Sequence, residues 1–456
     1  MPSLCQEAQP PFGRSMRRYF GFDRNVTNFN HSSFGSIPTP IKDRIRQLQD
    51  EVEAHPDAFY TQKRSKLILD SRTSVAKLLN APVSECVFVR NTTTGISTVL
   101  QNIGPLFRKQ DVIIYFESTY TTVQNILSVL SGQMGIQTHK VEFPFPITNG
   151  ELTTKFQKTI HTLRQEGLNP RLAIIDTITG GQGVRFPFEE MVQLCRSEGV
   201  QSLIDGAHGI GQIPLNIAEL RPDFFITSCH KWLYVPCSCA VLYVPERNQH
   251  LIRSTLPPSW GTITPTGQQP LPAMCVAAQV RPLSQFESLF EFVSASDDIA
   301  SYCIPAALEF RRNICGGEKH IYQYLDQLAR EGLGLVAASL NTEVLRGDLD
   351  SAHLNGMGAV RLPIAIAYQP GCDHREAPWA NLDNSEVHSA IEFIWSFLGT
   401  HGMWMPIWGY RDWLWVRLSA QVYLEKADFE RLGEILKEAC GKIRLGQFKA
   451  GRKAVC

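Results

Sequence analysis

The segment Ser228-Cys229-His230-Lys231-Trp232 follows the apolar run Phe224-Phe225-Ile226-Thr227. A lysine just past a buried strand loses hydration, so its ammonium becomes easier to deprotonate and its amine attacks an aldehyde. A lone surface lysine is the bland alternative, and the flanking serine, histidine and tryptophan argue against it. Asp205 ends a second apolar run, in Ile204-Asp205-Gly206-Ala207-His208. A carboxylate there either pairs with a protonated ring nitrogen or caps a helix. Thr92-Thr93-Thr94-Gly95 stands between a strand pattern and a helix pattern. Free amides and hydroxyls at such a junction cradle a phosphate monoester, unless a threonine merely caps the helix. Tyr120 follows another strand, where its ring either covers a ligand, donates a proton or fills space. A nucleophilic lysine, a carboxylate and an anion cradle together answer the three functional ends of pyridoxal 5′-phosphate (PLP): aldehyde, pyridine nitrogen and phosphate.

Those residues need strands to aim them. Apolar runs at 87–89, 112–116, 172–176, 202–205, 224–227 and 240–244 read as short buried strands. Helical spacing fills 38–80, the stretch after Gly95, and the neighbourhoods of 121–132 and 187–198. Alternation of this kind predicts an α/β fold with a mostly parallel sheet between helices. Ligands in such sheets bind at the carboxyl ends of the strands. After about residue 300 the pattern changes to helical periods over 302–340 and 385–400, with strands at 359–363 and 414–419 and a polar insertion at 367–384. The expected organisation is a segment 1–37 at a domain junction, a large cofactor-binding domain 38–299 and a smaller α+β domain 300–456.

Composition sets the bounds. The 456 residues suit two domains. Lys plus Arg and Asp plus Glu are equal at 44 each. No global field favours nucleic acid or an anionic membrane, and any charged ligand must be caught by a local site. No apolar run reaches the roughly 18–20 residues that cross a bilayer. The polar stretch Met1 to Gly13 lacks a secretory apolar core, so a cytoplasmic location is expected. Twelve irregularly spaced cysteines read as reduced thiols. Cys237 and Cys239 have no second pair nearby, so no metal site is expected. Gly206, Gly209 and Gly211 superficially suggest a dinucleotide loop, but their order is wrong.

Three motifs in order carry a resemblance: Asn28-Phe29-Asn30-His31-Ser32-Ser33-Phe34-Gly35, then Asp205-Gly206-Ala207-His208, then Ser228-x-His230-Lys231-Trp232. Over essentially its whole length the chain resembles the class V aminotransferases among the fold-type I PLP enzymes. That group includes cysteine desulfurases and isopenicillin N epimerase-like proteins. The stretches 183–188, 247–257 and 417–425 resemble the fungal ergothioneine-pathway hercynylcysteine sulfoxide lyases most closely. The resemblance implies that Lys231 holds PLP, that Asp205 pairs with the ring nitrogen and that His208 supports the ring or its 3′-oxygen. It implies Thr93, Thr94, Ser228 and His230 around the cofactor and Tyr120 placed for proton transfer at sulfur. Arg417 would receive the substrate carboxylate, with Asn30 and His31 orienting that end. A homodimer is also implied.

Four departures from the family pattern lie around the substrate pocket and the dimer seam. Ser32 replaces a glycine, His208 stands where those lyases have Gln, Thr179-Gly180-Gly181-Gln182 replaces a Ser-Ser loop, and Ser294-Ala295-Ser296-Asp297 replaces a Gly-Thr-x-Asp segment. The expected activity is carbon–sulfur lysis, a β-elimination from an S-substituted cysteine or its sulfoxide yielding pyruvate and ammonia. Alternatives are a loline-type ring-forming or epimerase-like enzyme of secondary metabolism, an aminotransferase, a cysteine desulfurase using Cys372, and a non-catalytic binding protein.

Overall fold

Strands apolar on both faces need a layer of helices on each side. The computed structural model, which describes residues 12–258, 260, 262–263, 281–345, 347, 355–367 and 378–449, has that arrangement. A seven-stranded sheet is built from β1 (Cys86–Val89), β2 (Asp111–Phe116), β3 (Gln137–Val141), β4 (Asn169–Asp176), β5 (Gln201–Asp205), β6 (Phe224–Ser228) and β7 (Ala240–Tyr243). Their spatial order is β1-β7-β6-β5-β4-β2-β3. Only β7 runs against its neighbours. Side chains alternate between two cores: Ile174 and Leu203 enter one, Ile175 and Ile204 the other. Each large aliphatic buried in this way contributes about 2 kcal/mol of transfer free energy.

A second, smaller sheet comprises β8 (Val344–Leu345), β9 (Met357–Ile366), β10 (Ala380–Leu382), β11 (Ile407–Tyr410) and β12 (Trp413–Ser419). It is mostly antiparallel, with order β10-β9-β12-β11, and β8 also pairs with β9. The long helices Glu318–Leu340 and Lys426–Arg444 pack together beside it. The N-terminal segment adjoins this sheet: the Ser419 amide donates to the Phe29 carbonyl.

The helical stretch 38–80 is interrupted where the sequence reading had it continuous. It forms Thr39–Ala54, a turn at Pro56–Ala58, a π-helical turn at Phe59–Lys63 and Arg64–Leu79. Pro56 has no amide to continue the first helix. β3 was not expected at all: Gln137, Thr138, His139 and Lys140 are exposed and only Val141 is buried. Cys372 and most of the polar insertion lie outside the described residues. Among the described residues no helix is long and apolar enough to cross a membrane, and eight cysteines are free.

Candidate active site

The carboxyl ends of β2, β4, β5 and β6 point toward one cleft of about 240 Å³. β6 ends in Ser228, and the next residues turn into the short helix Cys229–Trp232, which carries Lys231. Asp205 is the last residue of β5 and Asp176 the last of β4. Tyr120 precedes the helix Thr121–Met134 that follows β2. The helix Thr92–Ile103 begins after β1.

The turn bearing Lys231 is held from behind. The helix His31–Phe34 packs on it and ends at Gly35, which has φ 71°. A Cβ on Gly35 would stand 1.8 Å from the His230 carbonyl oxygen, so no other residue permits this approach. Arg311, fully buried, donates to the Trp232 carbonyl at 2.9 Å and to the Gly211 carbonyl at 3.0 Å, and pairs with Glu318.

Burial pushes the Lys231 ammonium down to about 8, Asp205 opposes that shift, and Arg417 reinforces it. Charging this amine thus costs about 3 kcal/mol more than in water. His208 Nε2 lies 3.2 Å from Lys231 Nζ, and Trp232 Nε1 donates to His208 Nδ1 at 3.3 Å. Burial, then Lys231, hold His208 well below its usual range, so the ring is neutral. With Nδ1 accepting from tryptophan, the ring proton sits on Nε2, where it donates to the lysine amine once that amine has lost its proton. Asp205 is raised, chiefly by burial, while its Oδ1 accepts the Ala207 amide at 2.9 Å and Lys231 lowers it.

At the other end of the cleft, Asn91 caps the helix through the Thr94 amide at 2.8 Å. The amides of Thr92 and Thr93 stand in the first turn, with no preceding helical carbonyl to bond. The Thr92 and Ser228 hydroxyls lie 2.6 Å apart, and both residues line the cleft with Thr93. His230 also lines it, and burial brings its pKa down to about 4.

Arg417 comes from β12 of the smaller sheet. Its Nη1 donates to the Gly180 carbonyl, and its Nη2 donates to Ser33 Oγ at 2.5 Å and to Asn30 Oδ1 at 3.3 Å. Among the described residues no carboxylate pairs with it, and burial lowers it to about 10, so it remains a cation at neutral pH. Tyr120 is 53% exposed; a Cβ on Gly180 would meet its ring at 3.3 Å and His208 Nε2 at 3.8 Å. Tyr120, Gly180 and His208 therefore form one wall.

Of the residues expected from sequence, Lys231, Asp205, His208, Tyr120, Thr93, Ser228, His230 and Arg417 meet in this cleft. Asn30 reaches it through Arg417. Like Asn30, two more expected residues do not line it. The Thr94 amide and hydroxyl both donate to Asn91, because helical phase turns it to a second cavity of about 280 Å³, shared with Ser294–Asp297. His31 is wholly buried behind Trp232; its Nδ1 is 3.0 Å from the Tyr423 hydroxyl, and burial lowers its pKa to about 3. Polar lining residues that were not singled out include Asn91, Thr92 as distinct from its neighbours, Ser33 and Asp176.

A lysine amine that deprotonates readily, a buried carboxylate and first-turn amides beside two hydroxyls are the donor set that PLP requires, and the residues fit that group. A sequence profile of the Aminotransferase class-V family matches residues 40–263. The chain is 42% identical over 442 residues to the L-cysteine desulfhydrase-like protein lolT1 of Epichloe uncinata, covering 95% of this chain and 97% of that one. It is 28% identical to the hercynylcysteine sulfoxide lyase of Schizosaccharomyces pombe, over 94% of this chain and 98% of the relative. A variant of the lyase C-DES with glycine covalently linked to its PLP cofactor has the same fold, with a TM-score of 0.71 at 19% identity, covering 92% of this chain and 99% of that one. Similarity that runs nearly end to end at 42% identity, together with the profile match, shows that the chain belongs to the class-V aminotransferase family.

Proposed function

We propose that the protein is a PLP-dependent carbon–sulfur lyase acting on L-cysteine or an S-substituted L-cysteine, including its sulfoxide. The observation that carries the reading is the pairing of Lys231, its amine made easy to deprotonate beside neutral His208, with Arg417, a buried cation without a carboxylate partner among the described residues. Such a pair accepts an amino acid by its two ends: Arg417 takes the α-carboxylate in a charge-assisted fork, and Lys231 stands ready for the Cα proton. The relatives named L-cysteine desulfhydrase-like protein and hercynylcysteine sulfoxide lyase support a cysteine-derived substrate.

Bound PLP supplies the electron-withdrawing ring that lets a Cα–H bond break heterolytically. Asp205 holds a negative charge at the ring nitrogen. Lys231 removes the Cα proton as general base, which is worth about 10²–10⁴-fold. The Cβ–S bond breaks with its electron pair leaving on sulfur, and Tyr120, open to the cleft mouth, delivers a proton to that sulfur. The released enamine hydrolyses to pyruvate and ammonia.

The test uses purified protein reconstituted with PLP. Visible absorbance of lysine-bound PLP is expected, absent in Lys231→Ala, together with pyruvate from S-substituted cysteines. The band without pyruvate from any cysteine derivative would overturn the lyase reading and leave ring-forming chemistry. No band after adding PLP would overturn the cofactor assignment.

A further inference from the structure

Asp176 has no part in the chemistry above, yet it is among the most buried ionisable groups in the cleft. It is 2% exposed, and its Oδ2 has no hydrogen-bond partner in the structure. Its Cα is registered with that of Asp205 across the parallel pair β4–β5. Neighbouring strands are about 4.8 Å apart, and registered side chains leave the same face. Two carboxyl groups therefore share the cleft floor away from water. Lys231 faces them from the turn after β6, His208 from the turn after β5, Arg417 from β12 and Tyr120 from the end of β2.

We propose that Asp176 is a positioning residue for the ring end of the cleft: it keeps a proton while Asp205 keeps the negative charge, and it presents a neutral O–H donor beside that charge. Like charges at this separation in a desolvated site cannot both persist. The asymmetry between the two comes from geometry. Asp205 Oδ1 accepts the Ala207 amide, a bond that favours the ionised form, whereas Asp176, bonded by Thr119 and its own backbone amide, leaves Oδ2 with no donor. Burial first, and Asp205 second, raise Asp176 well above the carboxylate range, with Lys231 and a hydrogen bond from Thr119 opposing. A neutral donor there offers a hydrogen bond to any acceptor in the cleft. The proposal rests on the PLP reading, not on the identity of the sulfur substrate.

The experiment is thermal melting of the apo-protein, native and Asp176→Asn, from about pH 5 to about pH 9. The folded protein with a raised Asp176 binds one more proton than the unfolded chain between the ordinary carboxylate value, about 3.9, and the raised one. Its contribution is full at low pH and fades as pH rises through the raised value. Asparagine never ionises and escapes that loss. The Tm of Asp176→Asn relative to native is therefore expected to climb with pH, by about 1–3 °C over the range. A difference that is flat, or falls with pH, overturns the proposal. Absorbance titration gives a second reading: PLP affinity should fall more than about tenfold in Asp205→Asn and less than about threefold in Asp176→Asn, and the reverse order overturns it. If the asparagine variant does not fold, infrared spectra of native protein with ¹³C-aspartate decide. A labelled protonated-acid carbonyl band at neutral pH is expected, and its absence sinks the idea. None of these readings uses pyruvate release, so failure of the lyase reading shows separately.

Discussion

The floor and the rim of the cleft are built by different means. The floor consists of Asp176, Asp205 and Lys231, set by three adjacent strand ends of one sheet and tuned by desolvation. The rim consists of Arg417, Ser33, Asn30 and Tyr120, which come from sequence-distant segments; side-chain hydrogen bonds join the first three, and Tyr120 stands exposed beside them. Adjacent strand ends set the floor groups side by side, and buried packing behind the Lys231 turn holds them there. A group reaching across from a second sheet needs a dedicated network. Chemistry shared with the family should therefore reside in the floor, and substrate choice in the rim.

Arg417→Ala offers the hardest test of that division. It should lower kcat/KM by about 10²–10³-fold, from removal of a desolvated charge pair worth roughly 3–4 kcal/mol, while PLP absorbance persists. Arg417→Lys should not restore activity, because an ammonium lacks the planar fork. Loss of PLP binding in either variant would break the separation of rim from floor. Tyr120→Phe should reduce kcat about 10²-fold, the low end for a general acid, because its exposed position lets water substitute; an unchanged kcat would remove Tyr120 from proton transfer. On the floor, the rate of PLP capture by apo-protein should rise about tenfold per pH unit up to about 8 and then level off, because only the uncharged Lys231 amine reacts. A profile still rising near the ordinary lysine value would contradict the desolvated site. The smallest effect is expected from Ser33→Ala. Loss of one charge-assisted hydrogen bond from Arg417, about 1.5 kcal/mol, should raise KM about tenfold with kcat held.

The same division governs what could be read in the sequence. Strands β1, β2 and β4 to β7 are apolar because both faces are covered, and floor residues follow them directly, so Asp205 and Lys231 stood out by position. Asp176 stood at a strand end too, but it reads as the last residue of the run Leu172 to Asp176, and only strand register brings it beside Asp205. Which threonine faces the cleft depends on the phase of the first helical turn, which spacing does not reveal. His31 belongs to a motif that packs behind the site rather than inside it, since burial among Trp232, Tyr234 and Tyr423 is a three-dimensional fact. The break at Pro56 was visible in principle from the missing amide. The helix Lys426–Arg444 was not singled out, although its capping pair, Glu425 and Asp428, lies in the sequence.

β3 was missed because Gln137, Thr138, His139 and Lys140 are polar and exposed, with nothing to mark them as a strand. That camouflage has a colloidal consequence. β3 terminates its sheet, and its outer row of amides and carbonyls is a template on which another chain could add a strand. Lys140 and its exposed neighbours make such docking unfavourable, so the edge that hides from a hydrophobicity pattern is also the one that resists fibril-like association when the protein is concentrated.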